Sequence, residues 1–216
     1  MRLFFATTNR GKLAELESLA RTLDLEIASM LDAGGAPEQV PEVGDSFAAN
    51  ALLKAEAAAR RVGGFALADD SGLCVDALSG APGIHSARWS KEEDGSAGRR
   101  AEAARPEHSK EGDRGNNARL LRELEGVEPA RRGAEYRCAL ALCDDRGERL
   151  LVEGACRGRI ALAPRGSAGF GYDPLFEIPE LDGRTFGELS PEIKAARSHR
   201  ARAFAKLLPL LRLLAH

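Results

Sequence analysis

The sequence predicts an α/β fold built on a mixed sheet, and three observations support this prediction. Hydrophobic residues make up 44% and charged residues 30% of the 216 residues, which is the composition of a globular chain with a core. Apolar runs that favour strands alternate with helical patterns, which favours helices packed on a sheet. Two long apolar runs joined by a polar turn predict an antiparallel hairpin. We therefore expect one domain over residues 1–216, with the hairpin forming a second lobe.

The first predicted elements are a short strand and a helix. The strand is predicted over residues 2–7, and the helix after it is marked by leucines at helical spacing: Leu13, Leu16, Leu19 and Leu23. A second strand is predicted over residues 26–30. A loop rich in Gly and Pro follows, and Asp45 or Ser46 at its end is expected to cap an Ala/Leu-rich helix through Val62.

The central part of the chain alternates between apolar and charged stretches. The run FALADDSGLCVDAL predicts a buried strand, an acidic corner and a second strand-like run. Residues 91–115 include 13 charged residues, so we expect a mobile, charged surface excursion without function and with at most a short helix. A helix is predicted near residues 116–124. The runs YRCALALCDD and RLLVEGACRGRIAL then form the hairpin, with a bend near Gly154 or Gly158.

The charge balance and the cysteines exclude several classes of protein. Lys and Arg number 31 against 33 Asp and Glu, so a formal net charge of −2 provides no global attraction to nucleic acid or to an anionic membrane. Phosphate binding therefore requires a local site. Four cysteines lie in apolar runs without a CxxC pair, which favours buried thiols in a cytoplasmic protein. Neither a signal peptide nor a membrane span is expected.

The segment ATTNRGK joins the first strand to the first helix. The start of a helix presents unpaired N–H groups and the positive end of the helix dipole, which favours a phosphate. Thr7, Thr8 and Asn9 add hydrogen-bonding side chains, and Lys12 adds a point charge. The segment does not match the Walker A pattern. Plain capping of the helix by Thr8 or Asn9 is the alternative interpretation.

Two adjacent carboxylates, Asp69 and Asp70, follow a buried apolar run. Carboxylates in such a place need a cation or many donors, which favours a hard metal such as Mg²⁺. Neighbouring residues on a strand point to opposite faces, so one of the two is expected to face the site while the other braces the loop. Glu42, in the loop before the second helix, would complete a two-point anchor for the metal. A turn with an Asx motif is the alternative.

Two later segments combine flexibility, aromatic rings and positive charge. In PRGSAGFGYDP, a Gly-flanked aromatic beside an Asp suits a loop that stacks on a nucleobase, although a turn with Phe170 in the core is the alternative. In LSPEIKAARSHRARA, Ser190 marks a helix start. Three cationic side chains after it do not share one helical face: Lys194, His199 and Arg200. If all three contact one ligand, the helix must break near Ser198; a solvated basic helix is the alternative.

The chain resembles the Ham1-type inosine triphosphate pyrophosphatase family in five segments that occur in this order: TTNRGK, SFAANALLKA, ADDSGLCVDALSGAPGIHSARWS, GFGYDPLF and SHR. The resemblance implies an elongated α/β fold with the active cleft between two lobes. It also implies an Mg²⁺-dependent homodimer that hydrolyses the noncanonical purine nucleoside triphosphates ITP, dITP and XTP to the monophosphate and pyrophosphate. Ala49 stands where the family usually has Glu, which removes one candidate carboxylate.

The resemblance also implies a role for each matching residue. Asp70 is the catalytic proton acceptor, and Glu42 and Asp70 hold the metal. The substrate contacts are Thr7, Thr8, Asn9, Arg10, Gly11, Lys12, Ser71, Phe170, Gly171, Tyr172, Asp173, Lys194, His199 and Arg200. The first six hold the triphosphate, the residues from Phe170 to Asp173 form the base-stacking loop, and the last three read the base.

Selectivity is expected to depend on the edge of the base. Hypoxanthine and xanthine present a 6-keto acceptor, so donors such as Lys194 or Arg200 would leave the 6-amino group of adenine unmatched. Two other functions are compatible with parts of the pattern. One is a pyrophosphatase of pyrimidine triphosphates on a related fold, and the other is a nucleotide-binding module without catalysis.

Overall fold

The computed structural model describes residues 2–21, 26–29, 40–90 and 109–214. Within these ranges, seven strands form one sheet in the order β2-β1-β3-β4-β5-β6-β7. The strands are β1 (Arg2–Phe5), β2 (Glu26–Ser29), β3 (Ala66–Val75), β4 (Gly133–Cys143), β5 (Arg149–Ile160), β6 (Phe176–Ile178) and β7 (Arg184–Thr185). The helices longer than one turn are α1 (Arg10–Ala20), α2 (Phe47–Val62), α3 (Lys110–Glu123), α4 (Pro191–Arg197) and α5 (His199–Leu214).

The sheet is mixed, as predicted. Strand β1 pairs in parallel with β2 and with β3, whereas β6 pairs antiparallel with β5 and with β7. The short turn between β4 and β5 can join only antiparallel neighbours, so the predicted hairpin is confirmed. The α/β fold class is therefore confirmed by the structure.

The described chain divides into two compact units. The first unit comprises Met1–Ser71, Arg137–Cys156 and Ala195–His216, and the second comprises Gly72–Tyr136 and Arg157–Lys194. The first unit has an apolar core in which α1, α5 and strands β1, β3 and β4 bury side chains that include Leu3, Phe5, Leu16, Leu67, Leu140, Phe204 and Leu207. In the second unit, three aromatic rings pack with centroids 4.5–6.0 Å apart: Tyr136, Phe176 and Phe186.

Strand β3 continues through the acidic pair, and the predicted strand, corner and second run are one element. Asp69 and Asp70 lie in its middle and are buried. In the sequence, two adjacent carboxylates predict that the strand ends, because burying an unpaired carboxylate is costly. Here cations from other segments compensate both carboxylates, so the strand does not need to end.

Three other boundaries differ from the prediction. Strand β1 ends at Phe5 rather than at residue 7, and β5 runs without interruption through both glycines. The predicted bend is replaced by close backbone approach: a Cβ on Gly154 would lie 2.3 Å from the carbonyl oxygen of His199. Helix α3 begins at Lys110, six residues earlier than predicted, because the Ser109 side chain accepts a hydrogen bond from the N–H of Gly112.

Several predicted boundaries are confirmed. The Ser46 hydroxyl caps α2, which ends at Val62. The helical segment near the C-terminus breaks at Ser198, whose hydroxyl accepts a hydrogen bond from the N–H of Ala201 and so starts α5. The Gly/Pro-rich segment over residues 31–39 and residues 91–108 of the charged stretch lie outside the described residues. Three of the four cysteines are buried, and Cys74 is half-buried. No helix in the described ranges is long and apolar enough to cross a membrane.

Candidate active site

The start of α1 is organised by Asn9. Its Oδ1 accepts hydrogen bonds from the N–H groups of Gly11 (2.8 Å) and Lys12 (3.1 Å), and the Thr7 hydroxyl accepts one from the N–H of Asn9 (3.1 Å). Capping by Asn9 is therefore present. The cap uses only the oxygen of the amide: Asn9 is 7% exposed, and its Nδ2 is buried without a hydrogen-bond partner among the described residues. The helix start thus retains a buried donor available to a ligand.

Asp69 is the centre of a buried charge network in the first unit. Lys12 Nζ lies 2.5 Å from its Oδ1, and Arg200 Nε donates to its Oδ2 at 2.9 Å. The Ser71 hydroxyl and the Cys138 thiol also donate to this carboxylate, at 2.9 and 3.0 Å. Burial alone would raise the pKa of Asp69, but Arg200 and Lys12 outweigh it and hold that pKa well below its ordinary value. Asp69 is thus a fixed anion.

Asp70 points to the opposite face of β3 and has different partners. Lys54 Nζ lies 2.7 Å from its Oδ1, and Asn50 Nδ2 donates to its Oδ2 at 3.3 Å. Burial raises the pKa of Asp70 to about 6, with Lys54 and Lys12 opposing the rise and Glu42 adding to it. The two faces of one strand therefore give adjacent carboxylates different proton affinities, which is typical of acid–base sites.

Lys54 joins Asp70 to Glu42. Its Nζ lies 2.9 Å from Glu42 Oε1 and 2.7 Å from Asp70 Oδ1. Burial would lower the pKa of Lys54, but these two carboxylates outweigh it and raise the pKa above its ordinary value. The two carboxylates predicted to hold the metal, Glu42 and Asp70, therefore both contact the Lys54 ammonium.

The donor set around this point fits a magnesium ion. Mg²⁺ is usually bound by one or two carboxylates together with waters and substrate phosphates. Glu42 and Asp70 supply two such carboxylates, and no group of three or more acidic, His or Cys side chains suited to a metal occurs in the described part of the chain. The protein itself thus offers a partial shell that a phosphate ligand would complete.

Arg200 is held from several sides in the first unit. It is 1% exposed and, besides Asp69, its guanidinium donates to the Ser71 hydroxyl at 3.0 Å and to the carboxylate of Glu15. Burial would lower the pKa of Arg200, but Asp69 and Glu15 outweigh it, and the pKa is raised. In this arrangement Arg200 braces the acidic strand.

The described part of this network carries one excess negative charge. Its cations are Lys12, Lys54 and Arg200, and its carboxylates are Glu15, Glu42, Asp69 and Asp70. The excess lies on Glu42 and Asp70, which share the single cation Lys54. A further cation, such as a metal ion held by these two carboxylates, would balance it.

The predicted base-stacking loop lies in the second unit. Asp173 Oδ2 accepts hydrogen bonds from Lys194 Nζ (2.6 Å) and from the N–H of Phe170 (2.8 Å). The Lys194 ammonium also lies over the Phe170 ring, 4.4 Å from its centroid. Tyr172 is buried, and its hydroxyl donates to the carbonyl of Ser86 at 3.0 Å. Phe170 is half-buried, so it is the aromatic ring of this loop with surface left for a ligand.

The predicted site residues thus fall into two groups, each organised within its own unit. The group in the first unit comprises Thr7, Thr8, Asn9, Arg10, Gly11, Lys12, Glu42, Asp70, Ser71, His199 and Arg200. The group in the second unit comprises Phe170, Gly171, Tyr172, Asp173 and Lys194. Thr8 and Arg10 are exposed, whereas His199 is buried.

Sequence reasoning missed four residues of the first group. Lys54, Asn50, Glu15 and Cys138 contact the acidic pair or its partners. One signal was available: Asn50 and Lys54 lie one helical turn apart in SFAANALLKA and therefore share a face of α2. Glu15 and Cys138 carried no comparable signal, because their partners are distant in the sequence.

Residues 3–210 match the model of the Ham1 family. The chain belongs to the Ham1 family. A dITP/XTP pyrophosphatase of Anaeromyxobacter sp. strain Fw109-5 is 49% identical over 226 residues, covering 100% of this chain and 98% of the relative. A dITP/XTP pyrophosphatase of Geobacillus kaustophilus is 46% identical and covers 95% of this chain and 91% of its own.

Solved structures agree with the Ham1 assignment. A HAM1 protein from Coxiella burnetii superposes with a TM-score of 0.79 at 34% identity, over 98% of both chains. A nucleoside-triphosphatase named dITP/XTP pyrophosphatase from Mycobacterium abscessus gives a TM-score of 0.67 at 41% identity, over 100% of this chain and 99% of that one. The resemblance recognised in the sequence is therefore confirmed for the whole described chain.

Proposed function

We propose that this Ham1 protein hydrolyses ITP, dITP and XTP to the nucleoside monophosphate and pyrophosphate. The observation that carries the proposal is the acidic strand: Asp69 and Asp70 are adjacent and buried, but cations hold the pKa of Asp69 well below its ordinary value whereas burial raises the pKa of Asp70 to about 6. A module that only bound polyanions would have no use for a buried carboxylate of raised pKa. The names of the relatives supply the substrate class.

The triphosphate is assigned to the start of α1. Anions bind there because the N–H groups at the start of a helix and the helix dipole both favour negative charge. The unpartnered Nδ2 of Asn9 supports this assignment, since a buried amide donor gains a partner when an anion binds. Lys12 adds positive charge one turn further along, although Asp69 shares it.

Glu42 and Asp70 are assigned to Mg²⁺. When bound, the ion would neutralise charge on the phosphates and so stabilise the charge that develops during cleavage. Lys54 keeps the two carboxylates together when no ion is present, because its ammonium contacts both. The site is therefore arranged before the ion and the nucleotide arrive.

Asp70 is the proposed proton acceptor. In the reaction, a water oxygen forms a bond to phosphorus, the anhydride bond between the α- and β-phosphates breaks, and the water gives up a proton. In the metal-free protein the pKa of Asp70 is raised to about 6 by burial, so Asp70 is mostly ionised at neutral pH, which is the state that a proton acceptor needs. Lys54 and Asn50 fix the orientation of its carboxylate.

Recognition of the base is assigned to Phe170 and Lys194 of the second unit. The Phe170 ring would stack on the purine, and the Lys194 ammonium facing the 6-keto oxygen would disfavour adenine, whose 6-amino group is a donor. Arg200 was expected from the sequence to read the base, but its guanidinium is buried and bonded to Asp69, Ser71 and Glu15, so it is assigned to bracing the acidic strand. Asp173 holds Lys194 through an ion pair at 2.6 Å and thereby places its ammonium beside the ring.

The test of the proposal is pyrophosphate release from purified protein with Mg²⁺. ITP, dITP and XTP are compared with ATP, GTP and dUTP at equal concentration. We expect release from the first three to exceed release from the others by at least about tenfold, the scale of one unmatched polar contact. Release from dUTP alone would identify a pyrimidine enzyme, and release from none would leave a binding module. The same assay without Mg²⁺ tests whether activity requires the metal. Light scattering measures the molar mass and so tests the proposed homodimer. The proposed location of the protein is the cytoplasm.

A further inference from the structure

Two side chains of helix α3 bond to the backbone N–H and carbonyl groups of Gly171, a residue of the predicted base-stacking loop. The Asp113 carboxylate accepts a hydrogen bond from the N–H of Gly171 at 2.8 Å, and the Asn117 amide donates one to the carbonyl of Gly171 at 3.0 Å. The two side chains are four positions apart and therefore lie one above the other on the helix. We refer to this pair as the α3 clamp.

The clamp acts on a loop that needs outside support. Gly169 and Gly171 both have positive φ values, +76° and +62°, so the loop depends on glycines that favour many other conformations when it is not held. Inside the loop, the Asp173 carboxylate fixes the N–H of Phe170. Gly171 follows the ring directly, and α3 provides the partners of both its groups: its N–H donates to Asp113, and its carbonyl accepts from Asn117.

Asn117 is dedicated to this contact. The bond to Gly171 is the one hydrogen bond that its side chain makes among the described residues, and its Oδ1 is buried without a partner there. The preceding residue differs: the Asn116 side chain bonds to the N–H of Ser90 and to the carbonyls of Ser86 and Ala87. Asn116 thus bonds α3 to the segment from Ser86 to Ser90, whereas Asn117 bonds to the loop.

We propose that Asp113 and Asn117 are positioning residues that preorganise the loop carrying Phe170 for the nucleobase. The inference rests on the proposed function, since it assigns these residues to the base side of the same site. A loop ordered in advance does not lose conformational entropy when the base stacks on it, so the clamp strengthens binding without touching the nucleotide. Asp113 belongs to the charged stretch for which no function was expected from the sequence.

The experiment separates the base from the phosphates. Inosine monophosphate carries the base but no pyrophosphate, and inorganic pyrophosphate carries no base. Both are used as competitive inhibitors of ITP hydrolysis by the wild type and by Asp113→Ala, Asn117→Ala and Asp113→Asn. The matched control is Glu111→Ala, which also removes a carboxylate from the first turn of α3, at an exposed position.

For Asp113→Ala and Asn117→Ala we expect the KM for ITP and the Ki for inosine monophosphate to rise about tenfold, the effect of one lost hydrogen bond. The kcat and the Ki for pyrophosphate should remain within about twofold, because binding is weakened equally in the ground and transition states. Asp113→Asn should retain near wild-type values, since its amide oxygen can still accept from Gly171. Glu111→Ala should match the wild type.

Two results would overturn the inference. One is equal weakening of inosine monophosphate and pyrophosphate, and the other is no change in either inhibitor. If Asp113→Ala melts below the assay temperature, Asn117→Ala and Asp113→Asn carry the test. A wild-type protein that releases no pyrophosphate from ITP would instead refute the proposed function, and binding of inosine monophosphate measured by calorimetry would then decide the role of the clamp.

Discussion

Replacing Lys54 by Met tests the electrostatic arrangement of the acidic strand most directly. Methionine preserves most of the length and volume of the side chain but removes the ammonium that contacts Asp70 at 2.7 Å and Glu42 at 2.9 Å. The two carboxylates then face each other without their shared cation. We expect a less stable protein and a higher pKa of Asp70.

The magnitude follows from the geometry. A unit charge pair 2.7 Å apart attracts by about 6 kcal/mol at an effective dielectric constant of about 20. The variant also no longer buries an ammonium, and the Lys54 side chain is 17% exposed, so we expect a net loss of about 3 kcal/mol. One pKa unit corresponds to about 1.4 kcal/mol, and part of the loss falls on Glu42. The pKa of Asp70 should therefore rise from about 6 to about 7 or above.

The sign of the pH dependence follows from the same values. The pKa of Asp70 in the folded wild type lies above its ordinary value, so ionising Asp70 already lowers stability as pH rises toward 6. In Lys54→Met this loss continues to higher pH. The stability difference between the two proteins should therefore be smaller near pH 4.5, where Asp70 is protonated in both folded states, and largest near pH 8.

Carboxyl ¹³C NMR titration of metal-free protein measures the pKa of Asp70, and urea denaturation at pH 4.5 and 8 measures the free energy of unfolding. Lys110→Met is the matched control, because Lys110 is exposed on α3. An unchanged Asp70 titration in Lys54→Met, or a stability loss of equal size at both pH values, would refute the electrostatic coupling between Lys54 and Asp70.

Three further predictions concern the same unit. Asp70→Asn should lower the kcat for ITP by about 10²- to 10⁴-fold, since it removes the proposed proton acceptor; the pyrophosphate assay measures this. Asp69→Asn should destabilise the fold by about 3 kcal/mol or more, because Arg200 and Lys12 lose a buried counter-charge; urea denaturation measures this. Gly154→Ala should destabilise by about 1–3 kcal/mol, because the added methyl group would clash with the carbonyl of His199; the same denaturation experiment measures this.

Each of these predictions has an outcome that contradicts it. Full activity of Asp70→Asn would remove Asp70 as the base. A wild-type urea midpoint for Asp69→Asn would mean that the buried cations find other partners. Unchanged stability of Gly154→Ala would show that α5 can move away from β5 without penalty.

The local features of the site were predictable from the sequence. Alternation along a strand places Asp69 and Asp70 on opposite faces, and the structure gives them separate partners as expected. The break at Ser198 was predicted on the premise that Lys194, His199 and Arg200 contact one ligand, because an unbroken helix would place them on different faces; the break is present. The family resemblance supplied the substrate class, which neither spacing nor composition contains.

The long-range features were not predictable. A pair of carboxylates in an apolar run reads as a corner unless the cations that compensate them are known, and Arg200 lies 131 positions from Asp69. The start of α3 was not predicted for a similar reason. It lies in the charged stretch, whose composition favours disorder. The helix is stabilised by the cap at Ser109 and by the contacts of Asp113 and Asn117 with Gly171, which only the folded structure shows.

The ion pairs of Arg200 also have a consequence for biosynthesis. Its guanidinium joins Asp69 to Glu15, which lies 185 positions earlier in the chain. Until the segment that contains Arg200 has left the ribosome, Asp69 lacks its strongest counter-charge and its burial is disfavoured. The acidic strand is thus completed late, after synthesis of nearly all of the described chain, and a nascent chain cut short before Arg200 would not form a working active site.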